Sequence, residues 1–167
     1  VFTTNDVPYR QCAAELRALH RGLSVHKTPR GVTCSAAAER AASFKALTLP
    51  ERVYAIVCEV PAERLPGPAD PSLLECINET IASSTGWDEA LQAHAAAHGR
   101  DPSAAAGLSF AVVANRRGRT FRDSVTSLDL GVAVGGALHD AFGWAVDLNR
   151  PALQVSVSLN DGGLYVT

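Results

Sequence analysis

Residues 108–167 read LSFAVVANRRGRTFRDSVTSLDLGVAVGGALHDAFGWAVDLNRPALQVSVSLNDGGLYVT, and this stretch decides the fold. The apolar run from Leu108 to Asn115 is a strand. Thr126, followed three residues later by Asp129, makes a capping box that opens a helix over Ser127 to Phe142. Leu130, Val134, Leu138 and Phe142 recur at every fourth position as its buried stripe, and Gly143 ends it. Leu153, Val155, Val157 and Leu159 then alternate with Gln154, Ser156 and Ser158, the pattern of a strand with one wet face. Asn160 to Gly163 is a hairpin turn, and Leu164 to Thr167 pairs back.

Between the first strand and the capped helix, Arg116, Arg117, Arg119 and Arg122 fall within seven residues. A guanidinium is always charged and its fork matches two phosphate oxygens, so a cluster on a supported loop suits a nucleic-acid backbone. The alternative is an ordinary solvated loop. Gly131 and Gly135 lie four apart on the helix, and each costs about 1 kcal/mol against alanine. Their presence implies close approach, either of the helix to its own sheet or of an RNA backbone. Trp144, just past the helix, is either core packing or a platform for a base.

Outward from this half, Val1 to Thr4 is a short β-type run and Pro8 to His20 is helical. Asp6 is placed to cap that helix, and Cys12, Leu16 and Leu19 share one face. Leu23 to Lys27 and Gly31 to Cys34 read as two strands turned by Thr28, Pro29 and Arg30. Ser35 then caps an alanine-rich helix to about Leu47. Arg52 to Val60, with Val53, Ile56, Val57 and Val60, reads as one buried strand. The order β-α-β-β-α-β is the split pattern of ferredoxin-like domains. Pro61, Pro66, Gly67, Pro68 and Pro71 make a boundary. Two helices follow, Ser72 to Ala82 and Trp87 to His98, and Gly107 with the alanines before it is a linker. An α+β chain of two domains is expected: a ferredoxin-like βαββαβ unit over 1–66 and an ααβαββ unit over 70–167.

Hydrophobic residues make up 47% of the 167 and charged residues 19%, enough apolar material for buried cores and too little charge for a disordered tail. The formal net charge of -2 excludes an all-round polycation, so nucleic-acid contact must come from a local patch. No run approaches the roughly 20 apolar residues that span a bilayer, and no signal peptide is visible, so an intracellular protein, cytoplasmic or nuclear, is expected without membrane contact. Cys12, Cys34, Cys58 and Cys76 form no Cys-x-x-Cys pair and read as small buried hydrophobes in a reducing compartment. The start at Val1 and the lack of methionine read as a piece of a longer polypeptide.

The order of elements, with FAVVANRRGR (Phe110 to Arg119), GGAL (Gly135 to Leu138) and FGWAVDLNRPALQVSVSL (Phe142 to Leu159) followed by Asn160-Asp161, resembles the THUMP domain. The closest likeness is to the THUMP-containing guanine-N2 RNA methyltransferases, in which a ferredoxin-like domain precedes THUMP. Gly31 to Cys34 and Glu51 to Val57 are similar to pieces of that first domain. The resemblance implies that the chain grips structured RNA, typically the acceptor end of tRNA, and presents a nucleotide to a C-terminal methyltransferase domain. In relatives a small activator subunit attaches to that catalytic domain. It carries Asn115, Arg116 and Gly118 onto the family positions after the first THUMP strand, and Thr126 and Ser127 onto its helix start. The loop from Arg117 to Val125 is longer than in relatives, which leaves open whether Arg119 or Arg122 fills the basic position. The candidate RNA-binding residues are thus Asn115, Arg116, Arg117, Arg119, Arg122, Thr126 and Ser127.

Catalysis in that family belongs to a Rossmann-type domain that binds S-adenosylmethionine, with a glycine-rich turn and an Asn/Asp-Pro-Pro-aromatic loop. Neither is in this sequence: Gly131 to Gly136 sits inside a helix, and Asp70-Pro71 and Asp101-Pro102 lack the second proline and the aromatic residue. No cofactor and no catalytic residue are therefore assigned to this chain. His94 and His98, four apart on a helix, lack the glutamate of a His-Glu-x-x-His motif and a third ligand nearby, and no metal site is assigned. A cysteine nucleophile such as Cys34 with His26 has nothing further in sequence to support it. The alternative to RNA binding is a non-catalytic protein interaction module that retains the THUMP fold, a reading motivated by the acidic balance.

Overall fold

Local signals in residues 126–143 set the longest helix. In the computed structural model Thr126 is the N-cap of a helix over Ser127–Phe142: its hydroxyl accepts from the Asp129 amide at 3.1 Å, and Asp129 accepts from the Thr126 amide at 3.1 Å. Gly143, at φ 66, donates to the His139 carbonyl at 2.8 Å and ends it. Residues 2–3, 9–20, 23–28, 31–47, 52–101 and 107–167 are described. The cap expected of Asp6, the turn at 29–30 and the linker over 103–106 lie outside them.

The strands are β1 (Phe2–Thr3), β2 (Val25–Thr28), β3 (Gly31–Cys34), β4 (Arg52–Val53), β5 (Cys58–Pro61), β6 (Ser109–Arg116), β7 (Ala145–Val146), β8 (Leu153–Asn160) and β9 (Gly163–Val166). The helices are α1 (Tyr9–Leu19), α2 (Leu73–Ala82), α3 (Gly86–His98) and α4 (Ser127–Phe142). The chain divides into two compact units, residues 1–55 with 88–102 and residues 56–87 with 103–167.

In the first unit four antiparallel strands lie in the order β2-β3-β1-β4. Cys12, Ala13 and Leu16 of α1 bury against Leu23, Val25 and Val32, with Cys34, Phe44 and Leu47 packed alongside. The helix expected from Ser35 to Leu47 is a 3-10 segment, Ala38–Ala46, with Ala37 at its N-cap. Ser35 lies two residues before that cap, and no side chain caps the segment there.

In the second unit five strands lie in the order β5-β9-β8-β6-β7. β6 runs parallel to β8 and β7, and β9 runs antiparallel to β8 and β5. Phe110, Val112, Ala114 and Arg116 of β6 align with Leu153, Val155, Val157 and Leu159 of β8, so one face carries the apolar residues of both strands. α4 packs on β6 and on α2, burying Leu130, Val134 and Leu138 with Leu73, Ile77 and Ile81. Each such aliphatic side chain contributes roughly 1.5–3 kcal/mol when fully buried.

The single strand expected over Arg52 to Val60 is two. β4 pairs with β1 in the first sheet, and β5 pairs with β9 in the second. Pro61 does not interrupt β5, because β5 is an edge strand and an edge tolerates a missing amide. At its partner Gly163, φ is +122 and an added Cβ would collide with the Val60 carbonyl oxygen, so glycine lets the two strands close together.

Candidate nucleic-acid interface

The arginine-rich segment is a loop held at both ends and in its middle. At its start the Arg116 amide donates to the Ser127 hydroxyl at 3.0 Å, and the Arg117 amide donates to the Leu159 carbonyl at 2.9 Å. Farther along, the Arg122 amide closes a turn on the Arg119 carbonyl at 3.2 Å, while Phe121 and Val125 bury into the unit. The exposed residues Arg117, Arg119 and Arg122 therefore stand on a backbone anchored by apolar neighbours.

A second anchor comes from the β8–β9 turn. One carboxylate oxygen of Asp161 accepts the amides of both Arg119 and Thr120 at 2.8 Å. The Thr120 amide and hydroxyl and the Arg119 amide hold the Asp161 carboxyl below the usual carboxylate range, and the Arg119 charge adds to them. Gly118 precedes this contact at φ +87, a backbone region that disfavours side chains, and a Cβ there would run into the Asp161 carboxylate. In sequence Asp161 reads as part of the hairpin turn and of the THUMP resemblance, not as a partner of the arginine loop; the glycine within Arg-Arg-Gly-Arg is the signal that something crowds that loop.

Strand alternation separates the first two candidate residues. Arg116 lies on the α4 face of β6, half-buried, and Asn115 lies exposed on the opposite face, paired with Ser158. Arg116, Thr126 and Ser127 come together where β6 ends and α4 begins; Asn115 does not join them on that face. The Nε of Arg116 is buried with no acceptor among the described residues. Arg117, Arg119 and Arg122 are exposed, and the Arg119 charge acts on the Asp161 carboxylate.

The family model of the THUMP domain matches residues 88–167. These residues are a THUMP domain. The chain is similar in fold to TrmN from Thermus thermophilus, with a TM-score of 0.69 and 23% identity over 99% of this chain and 43% of that one. It also matches PH1313 from Pyrococcus horikoshii, with TM-score 0.43, 16% identity and 99% and 51% of the two chains covered. A 4-thiouridine synthetase solved with RNA and ATP gives TM-score 0.47, 13% identity and coverages of 99% and 38%. The chain thus spans less than half the length of TrmN. No curated protein matches the sequence.

Elsewhere in the THUMP domain and its flank, Trp144 belongs to the core. It is 2% exposed, stacks on Phe142 at 4.6 Å and meets Trp87 and Phe110 edge-on at 5.5 and 5.9 Å. Gly131 faces the β6 side of α4, but a Cβ there would lie an ordinary 3.5 Å from that of Ala114, and one at Gly135 would lie 4.0 Å from Val112. The sheet therefore has room for a methyl group at both. The rings of His94 and His98 lie 4.5 Å apart, and among the described residues no three His, Cys, Asp or Glu side chains gather to hold a metal ion. No described helix is long and apolar enough to cross a membrane.

Proposed function

We propose that this chain is the RNA-gripping part of an RNA-modifying enzyme, with the loop of Arg116, Arg117, Arg119 and Arg122 as its phosphate-contacting edge. One observation carries the reading: Arg117, Arg119 and Arg122 stand exposed on a pinned loop of a THUMP domain, and Arg116 lies beside them at the end of β6. Exposed guanidinium groups on a fixed backbone can neutralise phosphates at a small desolvation cost. Thr126 and Ser127 complete that edge, and Asn115 reaches RNA from the other face of β6.

In the finer form of this proposal the whole protein is an S-adenosylmethionine-dependent guanine-N2 methyltransferase acting on tRNA or a similar small RNA. The THUMP domain holds the acceptor end for a catalytic domain elsewhere in the polypeptide, which binds the cofactor and a small activator subunit. The first unit is then a ferredoxin-like domain, a reading supported by the strand order β2-β3-β1-β4.

Alanine replacement of all four arginines, titrated with a fluorescein-labelled tRNA transcript, tests the proposal. Wild-type binding should weaken steeply with salt, and the variant should bind far more weakly with a shallower salt slope. Unchanged affinity at low salt rejects the loop as the RNA contact. The formal charge of -2 and the exposed Leu128 and Val132 on α4 favour a second reading, a THUMP-fold protein interaction module. Absence of RNA binding by the wild-type chain would select it.

A further inference from the structure

We infer that Asp161 is a positioning residue for the RNA-binding loop: from the β8–β9 turn its carboxylate gathers the Arg119 and Thr120 amides and thereby fixes where the arginine side chains stand. The inference rests on the reading of that loop as the RNA contact. Two consecutive amides that converge on one oxygen form a small anion-binding concavity. Here the anion is built in, contributed by a residue 42 positions beyond Arg119 in sequence. The concavity is therefore filled by protein, and side chains rather than these amides are left to meet phosphate.

The turn that supplies Asp161 is itself fixed, since the Gly162 amide donates to the Asn160 side-chain oxygen at 2.8 Å. Gly118 completes the arrangement from the loop side, because any side chain there would occupy the place of the Asp161 carboxylate. Simple electrostatics predicts the opposite role. A carboxylate beside a polyanion site repels the ligand, and on that view its removal tightens binding. The carboxylate is exposed, so the repulsion is screened over a Debye length of about 8 Å at physiological salt. Loss of the loop's shape affects every arginine on it, and the ordering effect wins.

The discriminating experiment compares the 167-residue wild type with Asp161→Ala, Asp161→Asn, Gly118→Ala and the four-arginine alanine variant. Affinity for a fluorescein-labelled tRNA transcript is measured well below each unfolding midpoint. Asp161→Ala should bind about tenfold more weakly, the scale of one charge-assisted hydrogen bond lost. Asp161→Asn keeps an oxygen for both amides without the charge and should bind as tightly as wild type or tighter. Gly118→Ala, which leaves all charges in place, should weaken binding as well, and it decides the matter if Asp161→Ala does not fold. If Asp161→Ala binds as tightly as wild type while the arginine variant loses binding, the positioning role falls and the RNA reading stands. If the wild type binds no better than the arginine variant, both fall.

Discussion

The hydroxyl of Ser127 accepts the backbone amide of Arg116 at 3.0 Å, joining the last residue of β6 to the first residue of α4. The connection across the arginine loop is thus closed by a side chain where the strand ladder ends. Ser127→Ala leaves that amide without its partner and should lower stability by about 1 kcal/mol. Urea denaturation would measure the loss, and faster hydrogen exchange at the Arg116 amide would localise it.

Two carboxyls near the loop couple its order to pH. Hydrogen bonds from the Thr126 side chain and amide hold the Asp129 carboxyl below its ordinary range, and those from Thr120 and Arg119 do the same for Asp161. A folded-state pKa that is depressed contributes stability above the unfolded value, about 3.9, and that contribution is lost as pH falls through the folded value. The unfolding midpoint of wild type should therefore drop more on acidification below about pH 4 than that of the Asp129→Asn, Asp161→Asn double variant. Parallel midpoint curves for the two proteins would contradict this linkage.

Glycine in the middle of α4 weakens the helix without a steric demand from the sheet. Gly131→Ala and Gly135→Ala should each stabilise the fold by about 0.5–1 kcal/mol, because the new methyl group meets Ala114 or Val112 at ordinary contact distance. A lowered thermal midpoint in either variant would show that the helix needs these glycines for packing after all.

Trp144 separates a core role from a recognition role. With its ring buried among Phe142, Trp87 and Phe110, Trp144→Ala should destabilise by about 3–5 kcal/mol. Trp144→Phe, which keeps an aromatic ring in place, should leave tRNA affinity unchanged in a fluorescence titration.

What could be read from sequence was what neighbours in the chain decide. α4 has the expected limits, Ser127–Phe142, because its capping box and Gly143 are local signals. β8, Leu153–Asn160, followed from the alternation of Leu153 to Leu159 and runs one residue further, into the expected turn. The strand expected over Arg52 to Val60 failed for the opposite reason. Its valines and isoleucine suit any buried strand, and partners far away in sequence, β1 for one half and β9 for the other, decide that it divides. In the alanine-rich stretch before Leu47, apolar spacing alone did not separate an α-helix from a 3-10 segment. The role of Asp161 was hidden similarly, because the amides it holds lie 42 and 41 residues earlier.

The pairing of Cys58–Pro61 with Gly163–Val166 has a practical corollary for dissecting the protein. A fragment begun at residue 70, beyond the proline-rich stretch, would leave the Gly163–Val166 strand with a bare row of amides and carbonyls, which invites another copy to add its own strand. Sedimentation should show such a fragment self-associating, whereas one begun at Ile56 carries its own selvedge and should remain a monomer.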